Sequence, residues 1–186
     1  MEFRELETER LKLIEITEEH AMPLYEIFSL EEVTRYYGMD PFASVDDAAN
    51  LIHSFQRMFG EKRAVRWGLQ VKEEGCFIGT IGLNNLQIHN RRTEIGYEIH
   101  PHYWRKGLVS EALSAVLEYI FEELRLYRAA AVTFPENFPS SALLEKHSFQ
   151  KEGLLRGYIL QGGQSHDATL YALLKPDWES VRGINK

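Results

Sequence analysis

Cysteine is almost absent: Cys76 stands alone in 186 residues, so no intrachain disulfide and no paired-cysteine metal site can form. Long apolar runs are missing too. None approaches the ~20 residues that span a bilayer. The opening MEFRELETERLKL alternates charged and apolar residues and has no signal-peptide core. Positive charge is in deficit, with 21 Lys and Arg against 28 Asp and Glu and a net charge of −7. That balance argues against nucleic acid as the main partner, because binding a duplex needs clustered basic residues. The seven histidines show no ligand spacing such as HExxH, and no Ser-His-Asp constellation is visible. Internal repeats, low-complexity tracts and linkers are also lacking. These absences leave a cytoplasmic protein without metal, membrane or nucleic-acid partner as the expectation. The chain should form one domain over residues 1–186, long enough to bury a sizeable core.

What is present reads as alternating strands and helices. Arg10 to Ile16 alternates polar and apolar residues as a strand does. A helix is expected from near Thr17, with Leu24, Ile27 and Phe28 on one side and Pro23 near its start. A turn-rich TRYYGMDPF follows. Ser44 and Asp47 then resemble a capping box that opens a helix through Leu51, Ile52 and Phe55. Val65, Trp67, Leu69 and Val71 alternate as a strand, and CFIGTIGL runs back beside it after the turn KEEGC. Thr93 to Ile99 makes a further strand, and Pro101 ends it. Leu108 to Leu124 is the strongest helix, with Leu108, Ala112, Leu113, Val116, Ile120 and Leu124 on one face. A buried strand over 129–134, a short helix over 140–147 and a closing hairpin, with strands near 156–160 and 168–174, complete the chain. The order predicts an α/β (α+β) layer structure, a mixed sheet with helices on its faces.

The informative segment is YEIHPHYWRKGLVSEAL, where a strand ends, a short loop carries Arg105, Lys106 and Gly107, and the strongest helix begins. A helix start has unpaired N–H groups and partial positive charge, so it stabilises an anion. Gly107 lets backbone approach a ligand closely, although the same residue also serves ordinary turns. The ordered motifs TERLKL, TEIGYEIHP, YWRKGLVSEAL and NFPSSALLEKHSF, with the tail KEGLLRGYILQGGQSHDATLYALLKPDW, resemble the GNAT superfamily of N-acetyltransferases over nearly the whole chain. In particular they resemble its RimJ/RimL-like branch, which acetylates ribosomal-protein N-terminal alanine. The superfamily loop is written Q/R-x-x-G-x-G/A. Trp104 takes its first place and Val109 its last, and Ser148 stands where a later Gly is usual.

The resemblance implies a GNAT fold, a mostly antiparallel twisted sheet of about six or seven strands flanked by about four helices. It implies acetyl-CoA as cosubstrate, with its pyrophosphate on the backbone of Arg105, Lys106, Gly107, Leu108, Val109 and Ser110. The strand edge ending at Ile99 and His100 would pair with the pantetheine arm, and one N–H near either residue would polarise the acetyl carbonyl. Asn137 is implied as a partner for the cofactor's amides, and Ser140, with Ser141 beside it, as proton donor to the leaving thiolate. Ser140 reads equally as a helix N-cap.

For the base, alternation sets Glu94 and Glu98 on one strand face, with Ile95, Tyr97 and Ile99 on the other. Glu98 is preferred as lying nearer the expected acetyl end, against a reading as a solvated partner of Arg91 or Arg92. His100 and His102 are secondary acid–base candidates, and Trp67, Tyr36 and Tyr37 are candidates for the acceptor side. An α-amino group titrates near 7.7–8.0 and a lysine near 10.4, so only the former is substantially free at neutral pH. The acceptor expected is therefore a protein or peptide N-terminus. Small amines (polyamine, aminoglycoside, amino acid) and a non-catalytic acetyl-CoA sensor remain alternatives, and a homodimer is left open.

Overall fold

A computed structural model describes residues 2–184. Its eight strands form one sheet in the order β1-β2-β3-β4-β5-β6-β8-β7. The strands are β1 (Leu6–Glu7), β2 (Leu11–Glu15), β3 (Val65–Val71), β4 (Phe77–Gln87), β5 (Arg92–Ile99), β6 (Arg128–Thr133), β7 (Gln150–Gln161) and β8 (Gln164–Leu174). Every neighbouring pair is antiparallel except β5 and β6. The helices among the described residues are α1 (Ala21–Phe28), α2 (Glu31–Thr34), α3 (Val45–Gly60), α4 (Leu108–Glu118), α5 (Phe138–Lys146) and α6 (Lys175–Ile184). None is long and apolar enough to cross a membrane.

The alternation in β3 divides the layers. Val65, Trp67 and Leu69 join the main core with Leu113 and Val116 of α4, while α1 and α3 build a second core on the other face around Leu24, Phe28 and Ile52. Trp67 lies wholly inside the main core, so it does not reach the acceptor side. The expected capping box at α3 is present, with the Asp47 carboxylate accepting the Ser44 N–H at 2.9 Å.

The element count exceeds expectation at features with weak sequence signals. β1 has only two residues, α2 has four, and α6 is charge-rich. The closing strands are also longer than the turn signal suggested, since β7 continues through irregular pairing with β8 back to Gln150. The helix expected to run to Leu124 changes form at Tyr119, where a π-helical turn spans Tyr119–Glu123. The wider turn brings three successive residues, Tyr119, Ile120 and Phe121, into the core, which a regular 3.6-residue period does not do.

α5 ends in paired bonds, Phe149 N–H to Leu144 O at 3.0 Å and Ser148 N–H to Glu145 O at 2.9 Å, with Leu144 and Phe149 both buried. This closure needs a left-handed residue, and Ser148 supplies it at φ +65°. A side chain there costs roughly 1 kcal/mol relative to glycine, partly offset by glycine's greater unfolded entropy. Ser148→Gly is therefore expected to stabilise the chain by about 0.5 kcal/mol and raise Tm by about 1–2 °C in calorimetry. A lower Tm would show that the serine is unstrained.

Candidate active site

The sheet contains a split. β5 and β6 pair only at Arg92–Arg128, Thr93–Ala129 and Glu94–Ala130, although β5 continues to Ile99 and β6 to Thr133. Past Glu94 each strand keeps its outer partner: β5 stays paired with β4 as far as Ile99, and β6 with β8 as far as Thr133. The His100 N–H continues the β5–β4 ladder by donating to Ile78 O at 2.8 Å. Alternation then turns the Ile99 and Tyr97 N–H groups toward the split. Of the Ile99 and His100 N–H groups, only that of Ile99 faces the opening.

A cleft of about 350 Å³ occupies this region, lined by Glu94, Gly96, Tyr97, Val132, Asn137 and Ser140, with Tyr36, Tyr37, Phe55, Arg66 and Tyr158 along its walls. Asn137 is the N-cap of α5, accepting the Ser140 N–H at 3.3 Å, so the serine expected to cap lies in the first turn instead. Its hydroxyl is freed for Tyr97, whose Oη lies 2.8 Å from Ser140 Oγ across the gap. Burial pushes the Tyr97 phenol up to about 12, partly opposed by the Ser140 hydrogen bond, so it stays protonated at neutral pH. Alternation alone sets Tyr97 with Ile95 and Ile99 on the face opposite the glutamates; the signal for more is that a buried phenol needs a hydrogen-bond partner.

At the wide end of the split stands the start of α4. Gly107 is its N-cap, in the left-handed region at φ +78°, and Arg105 before it is also left-handed at φ +59°. The first helical bond is Glu111 N–H to Gly107 O at 3.0 Å, leaving the N–H groups of Leu108, Val109 and Ser110 without intrahelical partners. Leu108 is buried in the core, and Val109 packs against the same core, so its extra bulk has found a place under the helix. Ser110 Oγ lies 2.8 Å from Nε2 of His147, whose ring burial, with Lys146 nearby, holds below the ordinary histidine range. Lys106 places Nζ 5.0 Å from the Tyr103 ring, and Trp104 donates from its indole to Ile99 O at 2.8 Å. His100 accepts the His102 N–H on its own ring, 3.1 Å away.

Arg10, which carries no sequence signal beyond its place in TERLKL, braces this loop. Its guanidinium donates to Lys106 O at 3.0 Å and pairs with Glu111 at 2.7 Å. Burial pushes Glu111 up, but Thr8 and Arg10 together outweigh it and hold the carboxyl below its usual range. A Cβ added at Gly107 would lie 3.5 Å from Arg10 Nη2. A second hollow of about 450 Å³ between α4 and α6, lined in part by Glu118, Lys146 and Trp178, lies away from the split.

The two glutamates of β5 have different surroundings. Glu94 lines the cleft at the apex of the split. Glu98 is 6% exposed and lies outside the lining, bonded to Thr80 and in an ion pair with Arg66 at 3.3 Å. Burial pushes its carboxyl above the ordinary range, with Arg66, Thr80 and Tyr37 pulling the other way. Arg66 lies flat because Gly82 and Gly96 face each other in the register; a Cβ on Gly82 would overlap the Arg66 side chain. Its guanidinium also donates to Gly96 O at 2.8 Å and to the Tyr37 hydroxyl, and covers the Phe55 ring at 5.3 Å. The preferred base is thus committed to a buried arginine, not to solvent, Arg91 or Arg92. Among the described residues no cluster of three or more His, Cys, Asp or Glu is arranged to hold a metal ion.

Comparison with known proteins agrees with this geometry. Residues 10–150 match the family described as acetyltransferase (GNAT) domain. The chain is 45% identical over 171 residues to the uncharacterized N-acetyltransferase YoaA of Bacillus subtilis strain 168, covering 92% of this chain and 97% of that one. It is 34% identical over 120 residues to the [ribosomal protein uS5]-alanine N-acetyltransferase of Escherichia coli K12, covering 64% and 62%. A solved GNAT-family acetyltransferase from Bacillus anthracis superposes with a TM-score of 0.81 at 27% identity, covering 93% of this chain and 99% of that one. The split sheet, the glycine-capped helix at its wide end and these matches together place the chain in the GNAT family of acetyltransferases.

Proposed function

We propose that this acetyltransferase takes its acetyl group from acetyl-CoA and delivers it to the α-amino group of a protein or peptide N-terminus. The observation that carries the reading is the split between β5 and β6, with an anion-binding helix start at its wide end and a carboxylate at its apex. The residues fit the cosubstrate: Gly107 is left-handed, the first N–H groups of α4 are open, and Arg10 and Arg105 stand beside them. Acetyl-CoA, when bound, supplies the acetyl group as an activated thioester.

In this reading the N–H groups from Arg105 to Ser110 hold the pyrophosphate. The Ile99 and Tyr97 N–H groups and the Asn137 amide receive the arm's polar groups, and an N–H of β5 polarises the acetyl carbonyl. An arm anchored at Gly107 enters past Ile99, so its far end points toward Glu94. The sequence-based preference for Glu98 reverses here, because the phosphate end lies at the C-terminus of β5. Glu94 takes the amine proton, directly or through a water, and Ser140 returns one to the leaving sulfur with Tyr97 behind it.

The charge of the cleft supports a monoamine. Among the described lining residues Glu94 is the one carboxylate, and the Arg66 charge is balanced by Glu98. A polyamine or an aminoglycoside carries several ammonium groups and calls for more acidic partners than this. An N-terminal amine is already roughly a tenth free at neutral pH, so one carboxylate suffices. The relative that acts on ribosomal protein uS5 alanine points to the same class.

Three variants test the assignments. Gly107→Trp is expected to weaken acetyl-CoA binding by about a hundredfold or more, with the circular dichroism spectrum retained; retained affinity would remove the phosphate site from Gly107. Glu94→Gln is expected to lower kcat/KM for the acceptor by about 10²–10⁴-fold. Glu98→Gln should instead act on stability, by about 3 kcal/mol, since it leaves Arg66 buried without its counter-charge. The opposite pattern, with kcat/KM lost only in Glu98→Gln, would return the base to Glu98.

A further inference from the structure

The wall of the cleft facing β5 is a run of turns over residues 35–39, between α2 and α3, which brings Tyr36 and Tyr37 into the lining. Besides ring contacts of Tyr37 with Phe28 and of Tyr36 with Phe134, side-chain hydrogen bonds fasten it at two points. One is the Tyr37 hydroxyl, which accepts from Arg66 at the cleft floor. The other is Gln161, the last residue of β7. Its Oε1 accepts the Gly38 N–H at 3.0 Å, and its Nε2 donates to Thr34 O at 3.0 Å and to Met39 O at 3.3 Å. One acceptor and both donors of the amide are thus in use. Gly38 is left-handed at φ +82°, and a Cβ there would lie 3.3 Å from Ile159 Cγ2, so the turn rests directly on β7.

We propose that Gln161 is a positioning residue for the acceptor. It fixes the aromatic wall, and with it the depth at which an amine reaches Glu94, without touching either substrate. The inference rests on acetyl transfer taking place in this cleft. The side chain is specific for the task. Asn is one methylene short of the turn, and Glu would set a carboxylate against the carbonyls of Thr34 and Met39. All three side-chain bonds go to backbone of residues 34–39 and none to β5 or the Gly107 loop, so the acetyl-CoA half of the site is independent of the clamp.

Gln161→Ala removes the clamp, and Gln161→Met removes its hydrogen bonds while keeping its length. The full chain is assayed by thiol release with acetyl-CoA and the peptide or amine on which the wild type has its highest kcat/KM. In both variants the acceptor KM is expected to rise about tenfold while acetyl-CoA Kd stays within about twofold. An unchanged acceptor KM, or an equal loss of acetyl-CoA affinity, overturns the proposal. So does loss of the folded state in both variants, which would make Gln161 a stability residue. Absence of thiol release by the wild type on every amine would instead sink the transfer reading, and the clamp's role with it.

Discussion

Two parallel strands that stop pairing after three residues leave two rows of backbone N–H and C=O groups facing a gap inside the sheet. Buried polar backbone is expensive unless it is paired. Here the gap stays open because each strand is held by its other neighbour, β5 by β4 through Ile99 and β6 by β8 through Thr133. The Tyr97–Ser140 hydrogen bond ties the two sides without closing them. The open edge suits a slender amide-bearing chain, and the positive end of α4 stands where such a chain would enter. The rest of the site is arranged around that vacancy in the hydrogen-bond ladder.

The electrostatics of the cleft follow from one buried side chain. Arg66 crosses the sheet where Gly82 and Gly96 leave room, and it sets its guanidinium against Glu98, Tyr37 and Gly96 O. Two carboxylates on one strand face would otherwise give the cleft a doubled negative field. With Glu98 paired, Glu94 is the carboxylate left lining the cleft. The same guanidinium reaches the Tyr37 hydroxyl, so neutralising one carboxylate and anchoring the aromatic wall are a single structural act.

Much of this was legible in the sequence, and the exceptions have physical reasons. The helix opening at Gly107, the capping box at Ser44 and the strand-to-helix order all rest on neighbours close in sequence. The difference between Glu94 and Glu98 is not local. Period-2 alternation makes them equivalent; the register of β3, β4 and β5 sets Arg66 level with Gly96 between them, and its guanidinium then pairs with Glu98. Arg10 and Glu111 meet across 101 residues, and their pairing needs β2 and α4 already in place. The orientation of the His100 N–H follows from ladder phase, which composition does not carry. Ser148 is the instructive reverse: its departure from glycine was visible in sequence, and the structure shows it in the left-handed conformation that glycine adopts without cost.

The clamp between Gln161 and Thr34 joins residues 127 apart in sequence. During synthesis the segment that forms the aromatic wall emerges early, yet it has no fixed seat until β7 has been made and paired with β8. Contacts this remote form late because a long loop must close before they repay the lost entropy. The aromatic-walled half of the cleft is therefore completed only when nearly the whole chain has left the ribosome. A nascent or C-terminally cut chain would hold most of the residues of the site without the cavity that makes them an enzyme.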